Sequence, residues 1–154
     1  MMINRNDPEK VYLITTEGLI PLANSWYRYT KYLGYEHQFK EFLKDDYTIS
    51  FLVGFVSCII DRYKIRDMEI KLGILASSIR EAFSHIVNPD ELYNLINHKL
   101  DSTVKNLAKG SPNEGASGGH LAAVVYLGKV NDGYIYKAGD LATYGDKLPA
   151  NYFN

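Results

Sequence analysis

The stretch Gly110-Ser111-Pro112-Asn113-Glu114-Gly115-Ala116-Ser117-Gly118-Gly119, followed by His120-Leu121-Ala122-Ala123-Val124-Val125-Tyr126-Leu127, decides how this chain is read. Its first ten residues hold four glycines and a proline, the composition of a flexible loop. The apolar run Leu121 to Leu127 then predicts a strand. Asn131-Asp132-Gly133 is a turn signal, and Tyr134-Ile135-Tyr136 predicts the returning strand of a β-hairpin. The tail from Gly139 to Asn154, with Gly145, Pro149 and scattered aromatics, is expected to pack irregularly. On this reading Gly110 divides a helical body from a β-containing, tyrosine-rich end.

Working back from Gly110, the pattern is helical. Asn88-Pro89-Asp90-Glu91 is the strongest start signal in the chain: Asn88 caps, Pro89 fits the first helical position, and two carboxylates meet the positive end of the dipole. Leu92, Leu95, Ile96, Leu100, Val104 and Leu107 form the apolar face of that helix, and Gly110 terminates it. Before it, Met68, Leu72, Leu75, Ile79, Ala82, Phe83 and Ile86 recur at intervals of three and four, an amphipathic helix. Ile49 through Tyr63 is apolar on nearly all sides, as a buried helix is, with Thr48 as its expected N-cap. Tyr35, Phe39, Phe42 and Leu43 suggest a shorter helix. Leu22, Trp26, Tyr29 and Leu33 suggest another, opened by Pro21 and stopped by Gly34. The β-favouring run Val11 to Thr15, ending at Gly18, predicts an N-terminal strand.

These elements give an α+β fold that is predominantly α. A helical core of about five helices occupies about 19–109, with a glycine-rich loop at 110–119 and a β-hairpin with irregular tail at 120–154. One domain, 1–154, is expected for a chain of 154 residues.

Composition narrows the function classes. Lys and Arg number 17 against 18 Asp and Glu, without the basic excess of a phosphate-binding surface, so nucleic acid is not an expected partner. Arg62, Lys64 and Arg66 are interleaved with Asp61, Asp67 and Glu69, a mixed-charge solvated face. The run Ile49 to Ile60 is broken by Ser50, Gly54 and Ser57 and falls short of the ~20 residues that span a bilayer. With no signal-peptide pattern at the start and a lone cysteine, the expected location is cytoplasmic, away from membranes. Thirteen tyrosines are the one bias, and the amphipathic ring suits protein contact.

No constellation forces a chemistry. The glycine-rich stretch lacks the flanking strand and Lys-Ser/Thr pair of a phosphate-binding loop. His37, His85 and His98 are dispersed, so neither metal nor cofactor is expected. Cys58 and His120 are the one nucleophile–base pair, with Asp140 available to orient the histidine. That order of residue types resembles cysteine peptidases and amidases of the NlpC/P60 type, and the resemblance implies a hydrolase using Cys58 and His120. Against it, Cys58 lies inside an apolar segment, where a thiol is inert.

The leading reading is a non-catalytic protein-binding module, of the kind seen in bacterial immunity proteins, phage-encoded inhibitors and small adaptors. Its expected contacts are Gly115, Ser117 and Gly118 in the loop and Tyr126, Tyr134, Tyr136, Tyr144, Tyr152 and Phe153 beyond it. An exposed hairpin edge would also permit a homodimer by strand pairing. The alternatives are the Cys58/His120 hydrolase and a small-molecule sensor with a pocket among its helices.

Overall fold

The computed structural model describes residues 7–110, 113–131 and 148–153, and every regular element among them is helical. In chain order these are α1 (Pro8–Tyr32), a 3-10 turn (Glu36–Gln38), α2 (Phe39–Leu43), α3 (Asp46–Arg62), α4 (Met68–Ala82), α5 (Pro89–Ala108), α6 (Glu114–Asn131) and α7 (Leu148–Phe153). The described fold is therefore all-α, and the expected α+β class is corrected at both ends.

At the N-terminus, Val11 to Thr15 is helix and not strand. Asp7 caps α1 by accepting the Glu9 N–H at 3.0 Å, and Pro8 sits in the first turn. Val11, Thr15, Leu19, Leu22 and Trp26 then fall on one helical face, and all five are buried. That face outweighs the β preference of the first few residues. Gly18 does not end a strand but lies mid-helix under the Tyr126 ring, and Pro21 is an interior residue of α1 instead of its opener. The helix does stop at Gly34. Its φ of +88° lets Tyr35 N–H reach Thr30 O and Gly34 N–H reach Lys31 O, both at 3.0 Å, closing the last turn.

At the other end, the glycine-rich segment from Glu114 onward and the run Leu121 to Leu127 form one helix, α6. Asn113 starts it: its side-chain oxygen accepts the Ala116 N–H at 3.0 Å. Along α6, Gly115, Ala116, Gly119, Ala122, Ala123, Tyr126 and Leu127 are buried, while Leu121 and Val124 are exposed. This is a helical period and not the alternation of a strand. The strand edge expected to pair two copies is thus absent from 121–127, and Tyr134 to Tyr136 lie outside the described residues.

Helix α3 runs through the core, with Phe51, Leu52, Val53, Phe55, Val56 and Ile59 almost fully buried. Its N-cap is Asp45 and not Thr48: the Asp45 carboxylate accepts the Thr48 N–H at 3.3 Å. Its closest neighbour is α6, and glycines make that approach possible. A Cβ at Gly54 would overlap the Ala116 carbonyl, and one at Gly119 would overlap the Phe51 carbonyl. Small residues four apart let two helix backbones approach this closely. Trp26 of α1 meets Phe42, Phe51 and Phe83 at 5.4, 5.8 and 6.2 Å between ring centroids. Helices α4 and α5 complete the core. Asp67 caps α4, and Asn88 caps α5 by accepting from Asp90 and Glu91 N–H.

Candidate functional site

Two features of the surface concentrate side chains that could do chemistry or recognition. The first is an aromatic end built where α7 docks near the C-terminus of α1 and the start of α3. Leu148 and Pro149 bury the first turn of α7. That anchors Phe153 in a stack on Tyr35, with centroids 4.5 Å apart and planes 5° from parallel. Tyr152 stands edge-on to Phe153 at 4.9 Å and lies 5.6 Å from Phe42. Tyr35, Tyr47 and Tyr152 remain 39%, 44% and 39% exposed. Between Tyr47 and Tyr152 lies a hollow of about 390 Å³, bounded also by Asp45, Thr48, Leu148 and Asn151. Among the described residues, Asp45 is the one charged group lining it.

Tyr152 and Phe153 come together in this aromatic end. Ser117 is exposed on α6, Gly118 faces the Phe51 ring, which a Cβ there would meet at 3.4 Å, and Gly115 is buried against the Tyr47 carbonyl. Tyr126 is buried, its hydroxyl donating to Ile14 O at 2.6 Å, and burial raises its phenol well above the ordinary range. Tyr134, Tyr136 and Tyr144 lie outside the described residues. Tyr47 went unnoticed in the sequence although the signal was present: it follows Asp45-Asp46 in the first turn of a helix, a position that leaves a ring near solvent. Tyr35, expected to open a short helix with Phe39, Phe42 and Leu43, instead precedes the 3-10 turn and is exposed.

The second feature is a cleft of about 540 Å³ between α3 and α6. The fold brings Cys58 and His120 to its walls together, with Ser57, Asp61, Asn113 and Ser117. Asp140 lies outside the described residues. No hydrogen bond joins the thiol to the imidazole. Cys58 is 7% exposed, and burial pushes its thiol up, partly opposed by Arg62 and reinforced by Asp61. It sits towards the C-terminal end of α3, where the helix dipole disfavours a thiolate. An activated nucleophile calls for the opposite surroundings. Asn113 holds the cleft's other wall in place: its amide donates to Ser50 Oγ at 3.0 Å while its oxygen caps α6.

His37, His85 and His98 are exposed. Among the described residues no three His, Cys, Asp or Glu side chains are placed to hold a metal ion, and no helix is long and apolar enough to cross a membrane. Comparison with protein-family models, with curated proteins and with solved structures returns no match.

Proposed function

We propose that this chain is a non-catalytic protein-binding module, of the kind represented by immunity proteins, phage-encoded inhibitors and small adaptors, and that its aromatic end is the contact surface. The observation that carries the reading is the exposure of Tyr47 and Tyr152 around one hollow, with Tyr35 also exposed where it stacks on the neighbouring Phe153. Tyrosine offers a large contact area with few rotatable bonds, and Tyr anchors dominate many interfaces. Rings held by neighbours lose little further entropy on binding, and Tyr152 is held by Phe42 and Phe153. The carboxylate of Asp45 in the hollow favours a partner that inserts an arginine or lysine, since a cation can lie on the Tyr faces and pair with the acid. The buried, proton-retaining thiol of Cys58 supports a non-catalytic role over the hydrolase reading.

Affinity capture from the source cells tests this when variants are run beside the wild type. A genuine partner is retained by wild type and by Tyr93→Ala, an exposed control, and is lost from Tyr47→Ala and Tyr152→Ala. Asp45 also caps α3, so its charge is probed by raising salt instead of by substitution. An identical captured set for all four proteins would remove the aromatic end as the contact surface.

A further inference from the structure

A cavity of about 200 Å³ lies between α3, α4 and α5, apart from the aromatic end and sharing no residue with it. Its walls are Val53, Ile60, Leu72, Leu75, Val104 and Leu107. Leu72, Val104 and Leu107 are only half-buried, so the helices leave apolar surface uncovered where they could have closed on it. An apolar cavity of about 150 Å³ is large enough to take up a benzene-sized molecule. This one therefore accommodates a group of the size of an isobutyl or benzyl side chain.

The polar lining is as informative as the apolar walls. Among the described residues it consists of the Ser57 hydroxyl, the Asp61 carboxylate and the Lys71 ammonium. Asp61 is exposed and Lys71 half-exposed, so both charges can meet a ligand from the solvent side. Neither forms an ion pair with the other, or with any other of the described residues. Asp61 and Ser57 also line the wider α3–α6 cleft, so there is open space beside the cavity for a head group. One acid, one base and an apolar hole match a compact zwitterion with an apolar tail. A simple fatty acid would leave Asp61 unmatched, and a simple amine would leave Lys71 unmatched.

We propose that this cavity binds a small zwitterion with an apolar side chain, of the chemical class of the larger aliphatic and aromatic α-amino acids. The side chain enters between α3, α4 and α5, the ammonium group faces Asp61, and the carboxylate faces Lys71. Ligand pockets commonly combine apolar walls with a few polar groups that fix orientation, and here the pair of opposite charges sets the class.

Calorimetric titration of the intact chain with leucine, phenylalanine, 4-methylpentanoate, 3-methylbutylamine and glutamate tests it. Leucine and phenylalanine should bind, with each single-charge analogue weaker by about two- to fivefold and glutamate weaker still. Asp61→Asn should weaken leucine while leaving 4-methylpentanoate unchanged. Lys71→Gln should weaken leucine while leaving 3-methylbutylamine unchanged. Val104→Trp, which fills the cavity from its half-buried side, should abolish binding without lowering the ligand-free unfolding midpoint. Absence of binding by every amino acid, or equal binding of leucine and its two analogues, overturns the assignment.

Discussion

The Tyr126 hydroxyl donates a 2.6 Å hydrogen bond to the backbone oxygen of Ile14, joining α6 to α1 across 112 positions of sequence. The ring beside it packs so closely on Gly18 that a Cβ there would stand 2.7 Å from a ring carbon. A buried phenol that donates to a carbonyl must keep its proton. Burial accordingly raises the Tyr126 pKa above its ordinary value of 10.0, and burial also raises Cys58 above 9.0. Both groups are neutral when protonated, so the unfolded chain loses these protons first as pH rises. Their contribution is fully present below the ordinary values and is lost as pH climbs through 9 and 10 towards the folded-state values. Unfolding midpoints in urea should thus be flat from pH 7 to 8 and fall steadily above pH 9. Tyr126→Phe should cost about 1 kcal/mol at neutral pH but decline less steeply above pH 10. An equally steep decline in that variant would remove Tyr126 from the explanation.

The glycines of α6 divide into two kinds, and substitution should separate them. Gly119 faces the Phe51 carbonyl with no room for a methyl group, whereas a Cβ at the exposed Gly128 would meet nothing within 4 Å among the described residues. Gly119→Ala forces α3 and α6 apart and should cost about 3 kcal/mol or more. Gly128→Ala only removes backbone freedom from the unfolded chain and should stabilise by about 0.5–1 kcal/mol. Chemical denaturation of the two variants checks both signs. Similar small effects at both sites would mean that the helices are not in backbone contact.

These glycines also explain which parts of the fold were legible in the sequence. Helix starts with their own chemistry could be read directly, as at Asn88-Pro89, because a cap is a local interaction. The segment 114–127 could not be read from local preference, because glycine is a poor helix former and valine favours strands. What makes it helical is tertiary: close approach to α3 requires small residues at Gly115 and Gly119, and Ala122, Ala123 and Tyr126 continue the same face. The four-residue spacing was the visible trace of that contact, and glycine density masked it. The aromatic end was half legible, since Tyr152 and Phe153 were singled out but Tyr47 was not. The α3–α4–α5 cavity left no trace in the sequence, because incomplete packing is a property of three helices together.

Lys64 is the one non-glycine among the described residues with a positive φ, +59°. It stands where a glycine would ordinarily close a helix: Ile65 N–H reaches Ile60 O at 3.3 Å and Lys64 N–H reaches Asp61 O at 3.1 Å, the pattern that Gly34 makes after α1. A side chain in the left-handed region costs about 1–2 kcal/mol. Its side chain is exposed and makes no ion pair among the described residues. Lys64→Gly should therefore stabilise by about 1 kcal/mol, read as a higher urea midpoint with an unchanged slope. A fall in the midpoint would show that Lys64 makes a contact that outweighs its backbone strain.

Thr15 and Thr16 bury their hydroxyls in α1 without a hydrogen-bond partner among the described residues. A helical threonine commonly returns its hydroxyl to the carbonyl four residues back, as Thr30 does to Trp26 O at 2.8 Å. Thr15 is fully buried and forgoes that bond, so folding strips its hydroxyl of water and gives nothing in return. Valine has the same branched shape and the same stiffness at χ1, but carries no polar atom. Thr15→Val should consequently raise stability by about 1 kcal/mol. Thr30→Val, which breaks a formed bond, should not. Thermal unfolding of the two variants side by side makes the comparison, because both exchange the same atoms in the same helix. If Thr15→Val destabilises as much as Thr30→Val, the Thr15 hydroxyl has a partner in solution, and a bound water is the group to look for.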